Sequence, residues 1–220
     1  KKAVYGLPEV NRAAIKNAQL VANPGCYPTA IQLALAPLIK SNLINTETII
    51  ADAKSGISGA GKKNETQLLM AEASENFRAY GLTGHRHLPE IEENLKVIAG
   101  TNKIKLTFVP HLIPMVRGIH ATLYVDCIKD FDPSVIYNEY YKDELFVDIL
   151  KSGSCPETKS VRGSNVCRLS FYKIPGTNRL IILSVIDNLV KGAAGQAIQN
   201  MNIMMDWPES SGLDLFVLHP

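Results

Sequence analysis

Two periodicities divide the chain. KIKLTFVP (103–110) alternates polar and apolar residues, which predicts a strand with one wet face, and GIHATLYVDCI (118–128) has the same character. TETIIADAK (46–54), VRGSNVCRLSFYK (161–173) and NRLIILSVI (178–186) read as three more strands. Helical segments lie between them: PEVNRAAIKNAQ (8–19), DPSVIYNEYYKDE (132–144), and NETQLLMAEASENF (64–77) with Asn64 as its N-cap. In LPEIEENLKVI (88–98), Pro89 sits near the first turn, and Glu90, Glu92 and Glu93 suit the positive end of the helix dipole. DNLVKGAAGQAIQNMNIMM (187–205) is capped by Asp187 or Asn188. Its Leu189, Ala193, Ala197 and Met201 recur every four residues, which predicts one buried stripe. Gly192 and Gly195 lower helix propensity there and point to close approach of another group. Strands and helices mix without strict β-α-β alternation. The expected class is α+β, with a mixed, largely antiparallel sheet covered by helices.

A chain of 220 residues buries a sizeable core as one large domain or two small ones. A formal net charge of +2 gives no electrostatic case for nucleic acid or an anionic membrane. The most apolar tract, RLIILSVIDNLV, is too short and too polar to span a bilayer. KKAVYGLPEV has no apolar h-region, so no signal peptide is expected. Cys26, Cys127, Cys155 and Cys167 form no C-x-x-C pair; neither a zinc site nor a disulfide framework is expected, and a reducing cytoplasm is the simplest setting.

VANPGCYPTA (21–30) carries the strongest chemical signal. Gly25 allows a sharp turn, and Pro28 is a favoured first residue of a helix. IQLALAPLIK (31–40) continues in helix formers until Pro37 kinks or ends the helix. Cys26 is thus expected at a helix N-terminus. Free N–H groups and the dipole there favour a thiolate below the usual pKa of about 8.5, and can hold an oxyanion. A buried structural cysteine is the alternative.

Three further segments are candidates. In GHRHLPE (84–90) an extended backbone would point His85 and His87 the same way, and Glu90 could orient an imidazole; a surface histidine pair reads equally well. GISGAGKK (56–63) nearly matches a P-loop, but Lys63 stands where Ser or Thr is needed for magnesium. A looser anion-binding turn survives, beside a plain surface turn. FVPHLIPMVRGIH (108–120) places Arg117, His111 and His120 around a strand entry, where arginine could fork a carboxylate or stay solvated.

ANPGCYPTA, SGISGAGKK, GHRHLPEIEENL, HLIPMVRGIHATLYV and DNLVKGAAGQAIQN, in this order, closely resemble the N-acetyl-gamma-glutamyl-phosphate reductases of arginine biosynthesis, and VYGLPEVNR resembles the stretch before the family's catalytic cysteine. The resemblance covers nearly the whole chain. It implies a fold similar to the C-terminal domain of aspartate-semialdehyde dehydrogenase, with residues 1–220 as the catalytic and dimerisation domain. It also implies an N-terminal NADP-binding Rossmann domain, for whose G-x-G-x-x-G there is no room before Cys26. By the same resemblance the substrate is an acyl phosphate and the assembly a homo-oligomer. Cys26 is the nucleophile, and His85 or His87, with Glu90, moves protons. Ser55, Gly56, Ser58, Gly59, Gly61, Asn188 and Gly192 line the cofactor side, and Asn23 and Arg117 meet substrate. Two rival readings are a non-catalytic dimerisation fragment and a cysteine hydrolase or acyltransferase. KSGSCPETKSVRGSNVCR (151–168) has no assigned role.

Overall fold

The computed structural model describes residues 2–62 and 64–214. Its elements run β1 (Val4–Tyr5), α1 (Pro8–Lys16), β2 (Val21–Ala22), α2 (Cys26–Lys40), β3 (Ile49–Gly56), α3 (Met70–Ala73), β4 (Arg78–Ala79), α4 (His87–Ala99), β5 (Leu106–Ile113), β6 (Ile119–Asp126), α5 (Pro133–Tyr141), β7 (Val147–Ile149), β8 (Cys167–Lys173), β9 (Arg179–Ile186) and α6 (Gly195–Met204). Seven strands form one sheet in the order β4-β5-β3-β6-β9-β8-β7. β3–β5 and β7–β8 are parallel; the other four neighbours are antiparallel. The α+β class and the mixed, mainly antiparallel sheet are as the sequence predicts. β1 and β2 stand apart as a two-stranded parallel pair.

Alternation along the strands sends Ala51, Ala53, Ala121, Leu123, Ile182 and Phe171 into one face, where each is buried. α2 lies on that face against β6, β8 and β9, and α4 packs against both α2 and β5. Small residues on the strands let α2 come close. α2 is buried from Tyr27 through Ile39, so it is apolar all round rather than amphipathic. The central helix of the core therefore begins at Cys26.

Pro37 neither ends nor breaks α2, which continues to Lys40. Proline has no N–H, so the carbonyl of Leu33 loses its helical partner. The hydroxyl of Tyr141 on α5 donates to that carbonyl at 2.5 Å, and Tyr137 donates to Ala34 O at 2.5 Å. A tertiary bond thus replaces the missing intrahelical one.

Three expected helices differ from the structure. α2 begins at Cys26, so Pro28 is its third residue, still within the turn whose N–H groups lack partners. The segment 64–77 folds as a 3-10 turn (Thr66–Leu68) and the four-residue α3, not as one helix capped by Asn64. Leu69 and Met70 stay more than half exposed, so no buried face sustains a longer helix. The chain then turns extended at Ser74 and joins the sheet as β4. The last segment opens with a π-helical turn, Val190–Ala194, before α6. Its expected buried stripe faces outward: Leu189 and Met201 are exposed, and the inward residues are Lys191, Gly192, Gly195, Gln196, Gln199, Asn200 and Ile203. The inner face is polar because it meets α1 and the β1–β2 pair through hydrogen bonds, with Asn200 and Gln196 both donating to Gly6 O.

Tyr141→Phe is expected to cost about 1–3 kcal/mol in urea unfolding, the penalty of an orphaned buried carbonyl. In a Pro37→Ala background the N–H restored at that position can satisfy the Leu33 carbonyl, and the same tyrosine substitution should cost markedly less; equal costs in both backgrounds would refute the replacement.

Candidate active site around Cys26

α4 builds one wall of this site from its first turn. His87 is its first residue and Glu90 lies three further on, so both side chains share one helix face. That face meets Gly25, the N-cap of α2. The Gly25 N–H donates to Glu90 Oε1 at 2.9 Å, and the hydroxyl of the half-buried Tyr5 donates to the same oxygen at 2.8 Å. Burial, then the Glu90 charge, push the Tyr5 phenol well above its usual range. His87 Nε2 fills the space beside Gly25, where a Cβ would fall 2.5 Å from it. Glycine is therefore required at 25, and an imidazole sits beside the residue preceding Cys26.

Cys26 heads α2 from this clamp. The N–H groups of Cys26 and Tyr27 at the helix start lower the thiol pKa, but burial outweighs them and raises it. This corrects the expectation of a thiolate: the dipole acts as foreseen, yet desolvation of the charged form is larger. Burial likewise lowers the His87 pKa to about 4, aided by the charges of His85 and Arg86. At neutral pH the resting site therefore holds a protonated thiol at Cys26 and a neutral imidazole against Gly25.

The two histidines converge, but not through an extended backbone. Arg86 is helical (φ −55°, ψ −25°), and His85 Nδ1 accepts the His87 N–H at 3.1 Å at the start of α4. Their rings lie 4.9 Å apart, and His85 also meets Tyr27 and Tyr80 edge-on. His87 Nδ1 is buried without a partner. Glu90 serves the Gly25 turn and Tyr5; the carboxylate–imidazole pairing read from the sequence is not what these bonds form. His85 and Arg86 also line a cavity of about 390 Å³ with Gly59, Gln67, Arg78 and Tyr80.

The opposite wall is the π-helical turn. A Cβ on Gly192 would lie 2.7 Å from Cys26 Cβ, so the close approach foreseen there is made by the cysteine itself. Asn188, nearly fully buried, clasps two loops: Oδ1 accepts from Gly118 N at 2.6 Å, and Nδ2 donates to Ser58 Oγ at 3.0 Å. Ser55 is buried, and Gly56 packs on the 115–117 loop, where a Cβ would meet Val116 O at 2.7 Å. Gly59 faces Ser55 and Asn188, whereas Gly61 turns at φ 72° with open space around it. A 3-10 turn (Ile57–Ala60) follows β3 and another (Thr66–Leu68) comes next, so among the described residues the glycine segment lacks the helix N-terminus of a P-loop. Lys63 lies outside the described residues.

Two expected substrate residues have partners within the chain. Arg117 Nη2 pairs with Asp187 Oδ2 at 2.9 Å; Asp187 is fully buried and also accepts from Gly163 N and Leu189 N. The fork read as open to a substrate carboxylate holds this one instead. Asn23 is exposed and brackets α6: Nδ2 donates to Ala193 O at 3.2 Å and Oδ1 accepts from Asn200 at 3.1 Å. His111 and His120 lie on the other face of the sheet, on either side of Lys54. Sequence reasoning missed Tyr5 and the β1–β2 pair. Tyr5 stands 85 positions from Glu90, and nothing local in VYG signals the contact.

The family profile described as "Semialdehyde dehydrogenase, dimerisation domain" matches residues 26–188. N-acetyl-gamma-glutamyl-phosphate reductase of Laribacter hongkongensis is 58% identical, over all of this chain and 64% of that protein. The enzyme of the same name from Thiobacillus denitrificans is 57% identical, over 96% of this chain and 62% of that protein. The chain thus spans somewhat less than two thirds of these curated relatives. Among solved structures, aspartate semialdehyde dehydrogenase II from Vibrio cholerae superposes with a TM-score of 0.73 at 18% identity, covering 93% of this chain and 68% of that one. The Francisella tularensis enzyme gives 0.70 at 17%, covering 92% and 71%. These structural likenesses speak for the fold.

A depressed histidine pKa makes stability depend on acid. Between the folded value of about 4 and an unfolded value of about 6.5 the unfolded chain binds the extra proton, so stability falls as pH drops through that window. Relative to His87→Gln, the native protein should lose about 2 kcal/mol of unfolding free energy between pH 7 and pH 5. Parallel losses in both proteins would show that His87 is not held neutral by burial.

Proposed function

The chain belongs to the semialdehyde dehydrogenase dimerisation-domain family, and from that premise we propose that residues 1–220 are the catalytic and dimerisation part of an N-acetyl-gamma-glutamyl-phosphate reductase of arginine biosynthesis. The observation that carries this reading is Cys26 at the head of a buried helix, with His87 against the preceding glycine. The overall reaction reduces N-acetyl-gamma-glutamyl phosphate to the semialdehyde and releases phosphate.

The first half-reaction belongs to this chain's own side chains. Cys26 sulfur attacks the gamma-acyl carbon, a C–S bond forms, and the C–O bond to phosphate breaks, leaving a thioester. A resting thiol must lose its proton on the way. The neutral ring of His87 can accept it, because thiol acidity rises sharply as the C–S bond forms. The free N–H groups at the start of α2 would suit the oxyanion of the tetrahedral intermediate. His85 stands between His87 and the 390 Å³ cavity, a position suited to passing the proton toward solvent. When the aldehyde is released, the sulfur leaves as thiolate, and a proton returning from solvent by way of His85 and His87 restores the thiol.

What NADPH supplies when bound is a hydride for the thioester carbon. The residues here suit its nicotinamide end: at Gly59 a Cβ would fall 2.8 Å from Ser55 Oγ, so glycine keeps that cradle open. Ser55, Ser58, Gly59 and Asn188 would hold that end. Gly56 and Gly192 serve contacts inside the chain. The remainder of the nucleotide falls to a nucleotide-binding domain outside these residues. In favour of that domain, two parallel strands make no stable sheet alone, and β1–β2 is such a pair. We assign the sheet face away from α2 to a second copy of the chain. It carries the half-buried apolar residues Ile50, Val109, Ile113, Tyr124, Ile181 and Leu183. A reducing cytoplasm suits the four unpaired cysteines.

Cys26→Ala in the full-length reductase should abolish phosphate-dependent oxidation of the semialdehyde with NADP; retained turnover would end the proposal. His87→Asn should lower kcat far more than His85→Asn, and the reverse order would transfer the proton role to His85. Alkylation of Cys26 by iodoacetamide should reach half its maximal rate only above pH of about 8.5, the value of a free thiol, because burial disfavours the thiolate. A midpoint below that would restore the resting thiolate.

A further inference from the structure

Lys191 is a fully buried lysine, one residue before the glycine that touches Cys26. Its ammonium group donates to Glu9 Oε1 at 2.6 Å and to Gln199 Oε1 at 2.8 Å, and lies 5.7 Å from the Phe146 ring centroid. Glu9, in the first turn of α1, is also buried. Gln199 is held in turn by Asn165 at 2.9 Å and donates to Glu209 at 2.7 Å. Such a charge pair is expensive to bury, and apolar replacements of similar volume often serve stability as well or better. Stability alone is a weak reason for its presence.

Position gives a better one. Lys191 sits inside the π-helical turn Val190–Ala194, where Gly192 N bonds Asp187 O at 3.0 Å and Ala194 N bonds Leu189 O at 3.2 Å. π turns are rare and occur mostly as single turns, frequently at functional sites. Gly195 leaves no slack at its far end, since a Cβ there would strike Val190 Cγ1 at 2.6 Å. Gly192 lies at the middle of the turn, against Cys26. We propose that Lys191 and Glu9 are a positioning pair: their bond pins the π turn so that the Gly192 backbone closes one wall over the Cys26 thiol. This rests on the reading of Cys26 as nucleophile. The pair joins α1 to the turn before α6, so the cover over the sulfur is set by two segments 182 positions apart.

The test uses this chain as it stands, with iodoacetamide as probe and the exposed Cys155 as internal control. The double variant Glu9→Leu/Lys191→Met removes both charges together, so no lone buried charge is left to unfold the protein. Alkylation of Cys26 at pH 8 should rise at least about fivefold over the native chain, with its pH midpoint moved down, while Cys155 is unchanged. An uncovered thiol is better solvated, so both changes have the same sign. A merely structural pair would alter the melting temperature and leave the Cys26 pH profile in place, and that result overturns the proposal. If the double variant does not fold, Lys191→Arg carries the same comparison: it keeps the charge but forces a larger head into the site, and an unchanged Cys26 profile there also overturns it. Turnover surviving Cys26→Ser in the full-length reductase would remove the nucleophile reading and with it the catalytic purpose of the pair, a failure told apart from the other because alkylation reports on the thiol and not on product.

Discussion

One short contact organises the site: the N–H of Gly25 held by Glu90, with His87 filling the space a side chain at position 25 would need. It joins the first turns of two helices. A helix start carries unpaired N–H groups and a positive dipole end, so two starts brought together would repel and leave donors unsatisfied. The Glu90 carboxylate lies between them, where its charge suits both, and it also takes the Tyr5 hydroxyl. The spacing of three between His87 and Glu90 matters because it puts ring and carboxylate on one helix face. The same spacing on a strand would place them on opposite faces.

Burial then sets the protonation state. The start of α2 offers N–H groups that favour a thiolate, but the helix is embedded in the core from Tyr27 onward, and Gly192 covers Cys26 from the other side. Desolvation wins, and the neighbouring imidazole is kept neutral by the same effect. A neutral thiol beside a neutral imidazole is unreactive toward stray electrophiles in water. In the reaction proposed above, the thiol gives up its proton as a carbonyl is attacked, and the charge that forms would be met by the helix N–H groups. The environment that lowers resting reactivity also strengthens those N–H groups where charge develops.

Much of the architecture was legible because it follows from local pattern. Strict alternation in KIKLTFVP and GIHATLYV gives β5 and β6, and the helical segment DPSVIYNEYYKDE gives α5. Cys26 at a helix start followed from Gly25 and Pro28 in the same way. What escaped depended on partners distant in sequence. The four-residue spacing of Leu189, Ala193, Ala197 and Met201 is a sound helical stripe, yet it faces out. The other side of the helix is claimed by Glu9, Gly6 and Asn165, which bind Lys191, Asn200 and Gln199. Periodicity identifies two faces of a helix; it names the inner one only when hydrophobic burial decides. Here hydrogen bonds decided. The Arg117–Asp187 pair was hidden from the sequence for a related reason, since its acidic partner lies far along the chain.

The outward stripe and the open β1–β2 pair lie on connected parts of the molecule. Asn200 bonds Gly6 and Asn23, and Asn23 bonds Ala193, so α6 and the small sheet form one unit. That unit also supplies Gly192 to the wall over Cys26 and Tyr5 to the far side of Glu90. Both sides of the thiol are thus anchored to the part of the chain that is least complete by itself. A sheet of two parallel strands gains rigidity when further strands are added. Added strands would therefore stiffen Gly192 beside Cys26 and Tyr5 behind Glu90 together, because both belong to the unit that the small sheet anchors.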